Sequence, residues 1–258
     1  TTGCSSGRMG EAEGDTVKRI AFIPAKGMST RFPRKNMALF GPVGRKPLVV
    51  VAATVALRAK KLGCLDEVIV SSDSTEVLDA ARSVSPGITS EIVCVTRQLG
   101  PATSETARVR DVICEHLKEH YVPPDADLCV LLPTSPLRTL RHIVESSRLL
   151  SDDVDVVMSL TPLVQDVKFG AYALRSLPTP DTPVEADLLD PWYSGHVYVH
   201  DGTVCWLRIR NGVVPQFHDN KNRTVPYLVP RAESCDVNYP IDLEWANWRA
   251  QKGWTQWD

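Results

Sequence analysis

A short apolar strand that runs directly into a basic loop constrains the fold of this chain more than any other feature. Residues 20–23 read Ile-Ala-Phe-Ile, a continuous apolar run that is typical of a strand buried on both faces of a parallel sheet. The loop that follows contains Gly27 and Ser29, residue types that allow backbone N–H groups to turn toward an anion. It also carries four cations within ten positions, namely Lys26, Arg31, Arg34 and Lys35. Residues 24–36 are therefore predicted to cradle a polyphosphate.

The loop matches neither of the two best-known phosphate-binding motifs. The chain contains no G-x-G-x-x-G dinucleotide fingerprint and no G-x-x-x-x-G-K-[ST] Walker loop. Most charge clusters are solvated surface, so an ordinary basic surface loop after a first strand is the alternative interpretation. The spacing of the cations within the loop favours the phosphate cradle.

The chain is long enough for a full core, and its composition excludes several function classes. At 258 residues, with 43% hydrophobic and 23% charged, one α/β domain with an insertion fits better than two equal halves. A formal net charge of −2 gives no global attraction for nucleic acid, so no nucleic-acid partner is expected. Seven scattered cysteines without metal-type spacing predict a reducing, cytoplasmic location. No apolar run reaches the length of a membrane span, so no membrane association is expected.

Alternating strands and helices are predicted after the loop. Buried strands are predicted at residues 67–70, 91–95, 128–132 and 154–160. A helix is predicted to begin beside Pro47 and to end before Gly63. Asp73 and the glutamate three residues later have the spacing of a capping box, which predicts that Asp73 caps another helix. Asp201-Gly202 is predicted to be a hairpin turn into the strand that follows it.

A later polar segment is expected to face the same crevice as the basic loop. Residues 133–138, Pro-Thr-Ser-Pro-Leu-Arg, follow the most apolar predicted strand, and ligands of open α/β sheets gather at the carboxyl ends of strands.

The loop sequence at residues 23–36, I-P-A-K-G-M-S-T-R-F-P-R-K-N, resembles the nucleotide loop of the CMP-sugar synthetases, the cytidylyltransferases that activate sialic acid and Kdo. Further segments resemble the family in the right order: S-S-D, R-x-L, L-L-P-T-S-P-L-R, S-G-H-V-Y and S-C-D-V-N, which together cover nearly all of residues 18–250. The resemblance implies an α/β fold with an open, mostly parallel, Rossmann-like nucleotidyltransferase sheet, helices on both faces and a small inserted dimerisation lobe.

The resemblance also implies how the chain is divided. Residues 1–17 are expected to be a disordered tail, residues 18–160 and 193–258 the nucleotidyltransferase core, and residues 161–192 an inserted lobe for dimerisation and acceptor binding. In the family this lobe reaches across to a second subunit, so a homodimer is expected.

The implied reaction transfers CMP from CTP to a small anionic acceptor and releases pyrophosphate. The implied catalytic residues, which would neutralise charge on the triphosphate, are Lys26, Arg31 and Lys35. The positions that match CTP-binding residues of the family are Ala25, Gly27, Ser29, Asn36, Arg97 and Ser104. Those expected to contact the acceptor are Thr134, Ser135, Arg138, Lys168 and Ser194. The resemblance also implies Mg²⁺ as the cofactor, with Asp236 and Asn238 as its ligands, and in a strand these two side chains would point to one face and could meet one ion. The amide contributes no charge, so the ion would depend more on phosphate oxygens.

Three departures from the family pattern leave the acceptor open. Leu132 stands where the sialic acid branch has a Gln, Ser194 replaces an Asn, and Asn238 replaces an acid. A small phosphonate and an α-keto acid sugar of the nonulosonate or Kdo type are both compatible with the sequence. Poor turnover of N-acetylneuraminate is expected, because a bulky acylated sugar would lose hydrogen-bond partners at Leu132 and Ser194. Better turnover is expected with a smaller, more highly charged acceptor such as a phosphonate, which would rely on cations such as Lys168 or Arg138. A catalytically silent nucleotide-binding regulator of the same fold is the alternative, supported only by the acid lost at position 238.

Overall fold

The computed structural model describes residues 17–42, 44–84, 91–97, 108–163, 171–174, 186–188, 197–217, 219 and 221–253. In chain order its elements are β1 (Lys18–Pro24), β2 (Leu39–Phe40), β3 (Lys46–Pro47), α1 (Leu48–Lys61), β4 (Glu67–Ser72), α2 (Thr75–Arg82), β5 (Val93–Thr96), α3 (Val109–Lys118), β6 (Ala126–Val130), α4 (Leu140–Ser147), β7 (Val156–Pro162), β8 (Ala171–Leu174), β9 (Ala186–Leu188), β10 (Val197–Ile209), β11 (Thr224–Leu228) and α5 (Pro240–Gln251). None of the described helices has the length and apolar character needed to cross a membrane.

The strands form one open sheet, and its main path has the order β11-β7-β10-β6-β1-β4-β5. β10 runs antiparallel to both of its neighbours, and all other adjacent pairs along this path are parallel. β8 pairs with β10, and β9 pairs with β8, which extends the sheet beyond that path. The predicted open, mostly parallel sheet is confirmed.

β1 lies inside the sheet because its side chains are apolar on both faces. Ala21 and Ile23 pack into the core with α1, α2 and α4, whereas Ile20 and Phe22 pack on the opposite face with α3. All four side chains are fully buried, and burial of one as large as Phe22 contributes about 1.5–3 kcal/mol to the free energy of unfolding. Helices therefore cover both faces, and the basic loop begins from a firmly packed strand end.

The predicted hairpin turn at Asp201-Gly202 is wrong. β10 continues through these residues and pairs with β7 on both sides of them, with a register shift between His200 and Cys205. The dipeptide forms a bulge in a buried strand, where Gly202 has φ +71°, a conformation that favours glycine. The Asp-Gly pair does mark a local distortion of the backbone, but the residues before and after it both pair with β7 and so belong to one strand.

The predicted inserted lobe is described only in part. β7 extends to Pro162, past the predicted end of the core, and β8 and β9 both lie within residues 161–192. Three of the predicted site residues, Ser104, Lys168 and Ser194, lie outside the described residues, as does nearly all of the predicted tail. The boundaries of the lobe and the homodimer stay predictions.

Candidate active site

The basic loop starts at the carboxyl end of β1 and is fastened to the end of β4. The Ala25 N–H donates to the carbonyl oxygen of Ser71 at 2.9 Å, and the Gly27 N–H donates to Asp73 Oδ1 at 2.7 Å. A Cβ atom at Gly27 would lie 2.6 Å from Ser74 Cβ, so only glycine allows this close approach. Ala25 and Gly27, both predicted to bind CTP, thus fix the path of the loop backbone.

Asp73 does not cap α2, contrary to the prediction from the capping-box spacing. The N-cap residue of α2 is Ser74, and the Asp73 carboxylate accepts the N–H of Gly27 instead. This donor belongs to a distant loop, which a local sequence pattern cannot reveal. Asp73 also lines the cleft formed by that loop, so its carboxylate faces the same space as the loop cations.

The three cations predicted to be catalytic line a single cleft of about 440 Å³, which we call the basic-loop cleft. Its described lining includes Lys26, Ser29, Arg31 and Lys35. Asn36 is buried, and its Nδ2 donates to the carbonyl oxygen of Lys26 at 2.7 Å, which ties the end of the loop to its start. The structure therefore brings together the predicted triphosphate-binding residues.

The two arginines of the loop point to different partners. Arg34, the cation not assigned to catalysis, forms an ion pair with Glu76 of α2, and both side chains are largely exposed. Such a surface pair contributes at most about 1 kcal/mol to stability. Arg31 instead lies over the ring of Tyr239, with 5.6 Å between the guanidinium carbon and the ring centroid. This contact joins the loop to the segment that carries Asp236.

Lys35 also links the loop to the predicted metal ligands. Burial lowers the pKa of its ammonium group below the ordinary value and Arg31 lowers it as well, whereas Asp236 and Asp242 raise it. Because two carboxylates from residues 236–242 act on this lysine, the loop and that segment lie side by side. The junction at Lys35 therefore holds a poorly solvated cation next to an acidic group.

The predicted metal ligands are positioned by the turn that follows β6. The Val237 N–H donates to the carbonyl oxygen of Thr134 at 2.8 Å, so the main chain of one predicted acceptor residue docks this segment. Asn238 Nδ2 donates to Asp236 Oδ2 at 2.7 Å, so the two side chains lie on the same face, as predicted. Asp242 Oδ2 accepts the N–H of Asn238 at 2.8 Å, which anchors the segment to α5.

These two side chains suit Mg²⁺ when substrate phosphates complete its coordination. Within the described ranges, no group of three or more His, Cys, Asp or Glu side chains is placed to hold a metal ion. Mg²⁺ commonly binds through one or two carboxylates plus substrate phosphates. The Asp236–Asn238 hydrogen bond uses Oδ2 and Nδ2, so the Oδ1 atom of each residue remains for an ion. The residues fit the predicted cofactor, and magnesium dependence stays a prediction.

Arg97, the predicted cytosine-side residue, is buried beside the loop. Its Nε donates to Ser71 Oγ at 2.8 Å, and a terminal nitrogen donates to the Ser71 carbonyl oxygen at 2.7 Å. The same carbonyl accepts the N–H of Ala25, so Arg97 and the loop share one anchor. Burial lowers the pKa of Arg97, while Asp73 and Glu115 raise it.

Two residues predicted to bind the acceptor are used inside the protein instead. Arg138 is 3% exposed, and its guanidinium donates to the carbonyl oxygens of Leu132, Gly202 and Thr203. Ser135 Oγ donates to the Gly202 carbonyl oxygen at 2.8 Å. Burial lowers the pKa of Arg138 to about 10. Both side chains fasten the turn after β6 to the β10 bulge, so the structure does not support their direct contact with an acceptor.

Two further cavities meet at His200 of β10. The first, of about 460 Å³, is lined by Thr161, Asp236 and Trp245 among others, and we call it the Asp236 cleft. The second, of about 530 Å³, has a mainly apolar lining that includes Leu132. Leu132, which replaces the Gln of the sialic acid branch, therefore lines a different cavity from Asp236, the predicted metal ligand.

Comparison with known families decides the group to which this architecture belongs. The family model described as "Cytidylyltransferase" matches residues 20–168, more than half of the chain. The chain belongs to the cytidylyltransferase family. The predicted relation to the CMP-sugar synthetases is confirmed by this match together with the curated relatives.

The relatives of this cytidylyltransferase include CMP-N,N'-diacetyllegionaminic acid synthase of Legionella pneumophila, which is 28% identical over 244 residues, covering 89% of this chain and 94% of the relative. A pseudaminic acid cytidylyltransferase of Campylobacter jejuni is 34% identical over 121 residues, covering 47% of this chain and 48% of the relative. Among solved structures, 4-diphosphocytidyl-2C-methyl-D-erythritol synthase of Anaerococcus prevotii has a TM-score of 0.59 at 14% identity, covering 91% of this chain and 99% of that one. The structural likeness confirms the Rossmann-like nucleotidyltransferase fold.

The feature beside these cavities that the sequence did not predict in this cytidylyltransferase is the β10 bulge. Asp201 accepts hydrogen bonds from Ser159 Oγ and Thr203 Oγ1, each at 2.6 Å, and from the Thr203 N–H at 3.1 Å. Ser159 Oγ accepts the N–H of Val204 at 3.0 Å. A polar pair inside an otherwise apolar strand, Asp201-Gly202, was the available signal, because bulges concentrate beside active sites.

Proposed function

We propose that this cytidylyltransferase moves CMP from CTP to an acidic acceptor and releases pyrophosphate. The observation that supports the proposal best is the junction of the basic-loop cleft with the segment of Asp236, where Arg31 contacts Tyr239 and Lys35 lies in the field of the exposed Asp236 carboxylate. Phosphoryl-group transfer needs positive charge along the leaving phosphates and a divalent cation beside the reacting one. The cations of the basic-loop cleft are suited to the leaving phosphates, and Asp236 is suited to the divalent cation.

The chain's own residues would act mainly by position and charge. Lys26, Arg31 and Lys35 would bind the triphosphate and meet the negative charge that grows on pyrophosphate as it leaves. Mg²⁺ held by Asp236 and Asn238 would supply Lewis-acid polarisation of the α-phosphate. The bond from the α-phosphorus to pyrophosphate breaks as an acceptor oxygen bonds from the opposite side, so little covalent chemistry is left for side chains.

Arg31→Ala should lower kcat by about tenfold, because a charged hydrogen bond to the growing negative charge is lost. The KM for CTP should change much less. Initial rates of pyrophosphate release at varied CTP measure both constants. Tyr239→Leu is the matched control, since it removes only the ring beneath Arg31 and should keep kcat near the wild-type value. A loss confined to the KM for CTP would make Arg31 a ground-state phosphate clamp instead.

We propose an acidic sugar of the nonulosonate type as the first acceptor to test. The support comes from the relatives, which are named for legionaminic and pseudaminic acid. A compact phosphonate would have relied on cations such as Arg138, and that guanidinium is occupied by main-chain carbonyls. Pyrophosphate release with CTP should be compared across legionaminate, pseudaminate, N-acetylneuraminate, Kdo and small phosphonates. Efficient use of N-acetylneuraminate would contradict the expectation drawn from Leu132 and Ser194.

CTP should be turned over about 100-fold more efficiently than UTP, ATP or GTP, because a site built to hydrogen-bond one base leaves polar groups unpaired with another. The proposed cytosine side includes Arg97 and Asn36, which are both buried and held next to the loop. Measuring kcat/KM for the four nucleotides with one fixed acceptor tests the preference. Equal efficiency with a purine nucleotide would show that this pocket does not read the base.

A catalytically silent nucleotide-binding regulator is the remaining alternative. It predicts binding of CTP, measurable by titration calorimetry, without pyrophosphate release in the presence of any acceptor. The three cations of the basic-loop cleft and the exposed Asp236 support the enzyme instead, because nucleotide binding alone does not require an acidic group beside the phosphates. The acceptor comparison above therefore also separates these two functions.

A further inference from the structure

The Asp236 cleft contains a buried hydroxyl group that has no hydrogen-bond partner in the described part of the chain. Thr161 lies near the end of β7, lines the cleft and is only 1% exposed. Its Oγ1 has no hydrogen-bond partner among the described residues. Ser159, two positions earlier on the same face of β7, is fully satisfied, since its Oγ donates to Asp201 and accepts from Val204. Buried hydroxyl groups in proteins are nearly always paired, so the Thr161 hydroxyl, unpaired among the described residues, is available to a group that enters the cleft.

The rest of the cleft is suited to an uncharged, hydroxyl-bearing group. Asp201, Asp236 and Asp242 contribute carboxylates, and Arg231 is the only Lys or Arg among its described lining residues. A second anionic group would therefore meet more negative than positive charge here. Trp245 and Val199 add apolar surface to the same cleft. Small-molecule sites typically combine apolar walls with a few polar groups that orient the ligand. The carboxylate and hydroxyl oxygens of this cleft can be those polar groups.

Trp245 is held in a defined orientation. The guanidinium of Arg249 lies over its ring, 4.7 Å from the centroid, while the residue keeps 37% of its surface exposed. An aromatic side chain that is fixed on one side and open on the other offers contact area to a ligand at low cost in conformational entropy. Trp245 and Thr161 line the same cleft, so the ring can contact a group that bonds to Thr161.

The position of the cleft fits the entry of an acceptor. The basic-loop cleft and the Asp236 cleft share no described lining residue, but Arg31 of the first contacts Tyr239, which lies between Asp236 and Ile241 of the second. An in-line displacement places the attacking oxygen and the leaving group on opposite sides of the reacting phosphorus. With pyrophosphate in the basic-loop cleft, an acceptor in the Asp236 cleft would lie beside the predicted metal ligand, which is not among the described lining residues of the mainly apolar cavity.

We propose that the Asp236 cleft is the subsite that selects the acceptor, and that Thr161 Oγ1 bonds a hydroxyl group carried by the acceptor body. The inference rests on the proposed cytidylyl transfer and deepens it. It adds Thr161 and Trp245, neither of which the sequence indicated, as specificity-determining residues. In this arrangement the acceptor body lies in the Asp236 cleft, and the triphosphate lies against the cations of the basic-loop cleft.

Thr161→Val tests the proposal, because it removes only the hydroxyl group and leaves a side chain of nearly the same shape. With a hydroxylated nonulosonate as acceptor, kcat/KM for the acceptor should fall about tenfold, whereas the KM for CTP should stay unchanged. The melting temperature should be equal to or above that of the wild type, because an unpaired buried hydroxyl destabilises the fold. Thr161→Ser, which restores a hydroxyl group, should recover most of the lost efficiency.

Thr139→Val is the matched control. Thr139 Oγ1 is also buried, but Thr139 is the N-cap residue of α4 and lines none of these cavities. This variant should keep wild-type kinetics with every acceptor. A second comparison uses the wild type and Thr161→Val with ethylphosphonate and 2-hydroxyethylphosphonate, where only the hydroxylated compound should respond to the substitution.

Two results would count against the proposal in different ways. If the wild type turns over an acceptor and Thr161→Val matches it within twofold, or if Thr139→Val shows an equal loss, the subsite is wrong and the transfer reaction stands. If the wild type releases no pyrophosphate with any acceptor, the proposed reaction itself fails, and the subsite fails with it.

Discussion

Asp236→Asn should lower the rate of pyrophosphate release by about 1,000-fold while the protein stays folded. The substitution removes the only carboxylate of the predicted Mg²⁺ ligand pair. It should not unfold the chain, because Asp236 is exposed and an amide oxygen can still accept the hydrogen bond from Asn238 Nδ2. Pyrophosphate release measured across a Mg²⁺ titration, together with thermal unfolding, gives both quantities.

Two further variants sharpen this test. Asp79→Asn is the matched control, since Asp79 is an exposed acid whose ion-pair partner, Arg82, lies on the same helix away from the cleft. Asn238→Asp adds back the acid that relatives carry, so the Mg²⁺ concentration at half-maximal rate should fall. A folded Asp236→Asn protein with near-native turnover at every Mg²⁺ concentration would rule out the metal-ligand assignment.

The fold was predictable because its main signals are local or periodic. The apolar run of β1 predicts burial on both faces, and alternate side chains of that strand do pack into two cores. Gly63, with φ +71°, follows α1 where a helix-ending glycine was predicted. The bulge at Asp201-Gly202 was not predictable from the same signals, because a turn and a bulge use the same residue types and differ only in the partner strand.

The candidate site was predictable where a motif follows a strand end and not where tertiary contacts choose the partner. Lys26, Arg31 and Lys35 share one cleft because they lie within one short loop. Arg138 belongs to an equally suggestive motif, yet it points inward, because the β10 bulge presents carbonyl groups that lack strand partners. Sequence shows which residues can bind an anion, and the surrounding fold decides which of them are left to do so.

Thr161 is a residue whose possible role could not be predicted from the sequence. A threonine in an apolar strand carries no sequence signal of function, since β-branched residues are ordinary in strands. Its interest comes only from its surroundings, where Ser159 finds partners in the bulge and Thr161 finds none among the described residues. Residues of this kind become visible only when the hydrogen bonds of each buried polar atom are traced.

Lys35→Met should lower kcat/KM for CTP by about 100-fold, because it removes a charge-assisted contact to phosphate at the junction of the two clefts. The protonated form is the one that binds phosphate. Burial lowers the pKa of Lys35 below the usual 10.5 of a lysine, so this residue loses its proton earlier than an exposed lysine as the pH rises. Activity that depends on Lys35 is therefore complete below the lowered pKa and falls as the pH passes through it.

Lys35→Arg tests whether the loss of activity at alkaline pH comes from deprotonation of Lys35 or of another group. Arginine keeps its charge throughout the accessible range, so the alkaline fall in kcat/KM for CTP should move to higher pH or disappear, even if the rate at neutral pH is reduced. Lys61→Met, at the exposed end of α1, is the control and should leave the profile unchanged. The measurement is kcat/KM for CTP at fixed acceptor from pH 7 to pH 10. An alkaline limb that is the same in wild type and Lys35→Arg would assign it to another group, and the low-pKa cation at the junction would then have no role in binding the triphosphate.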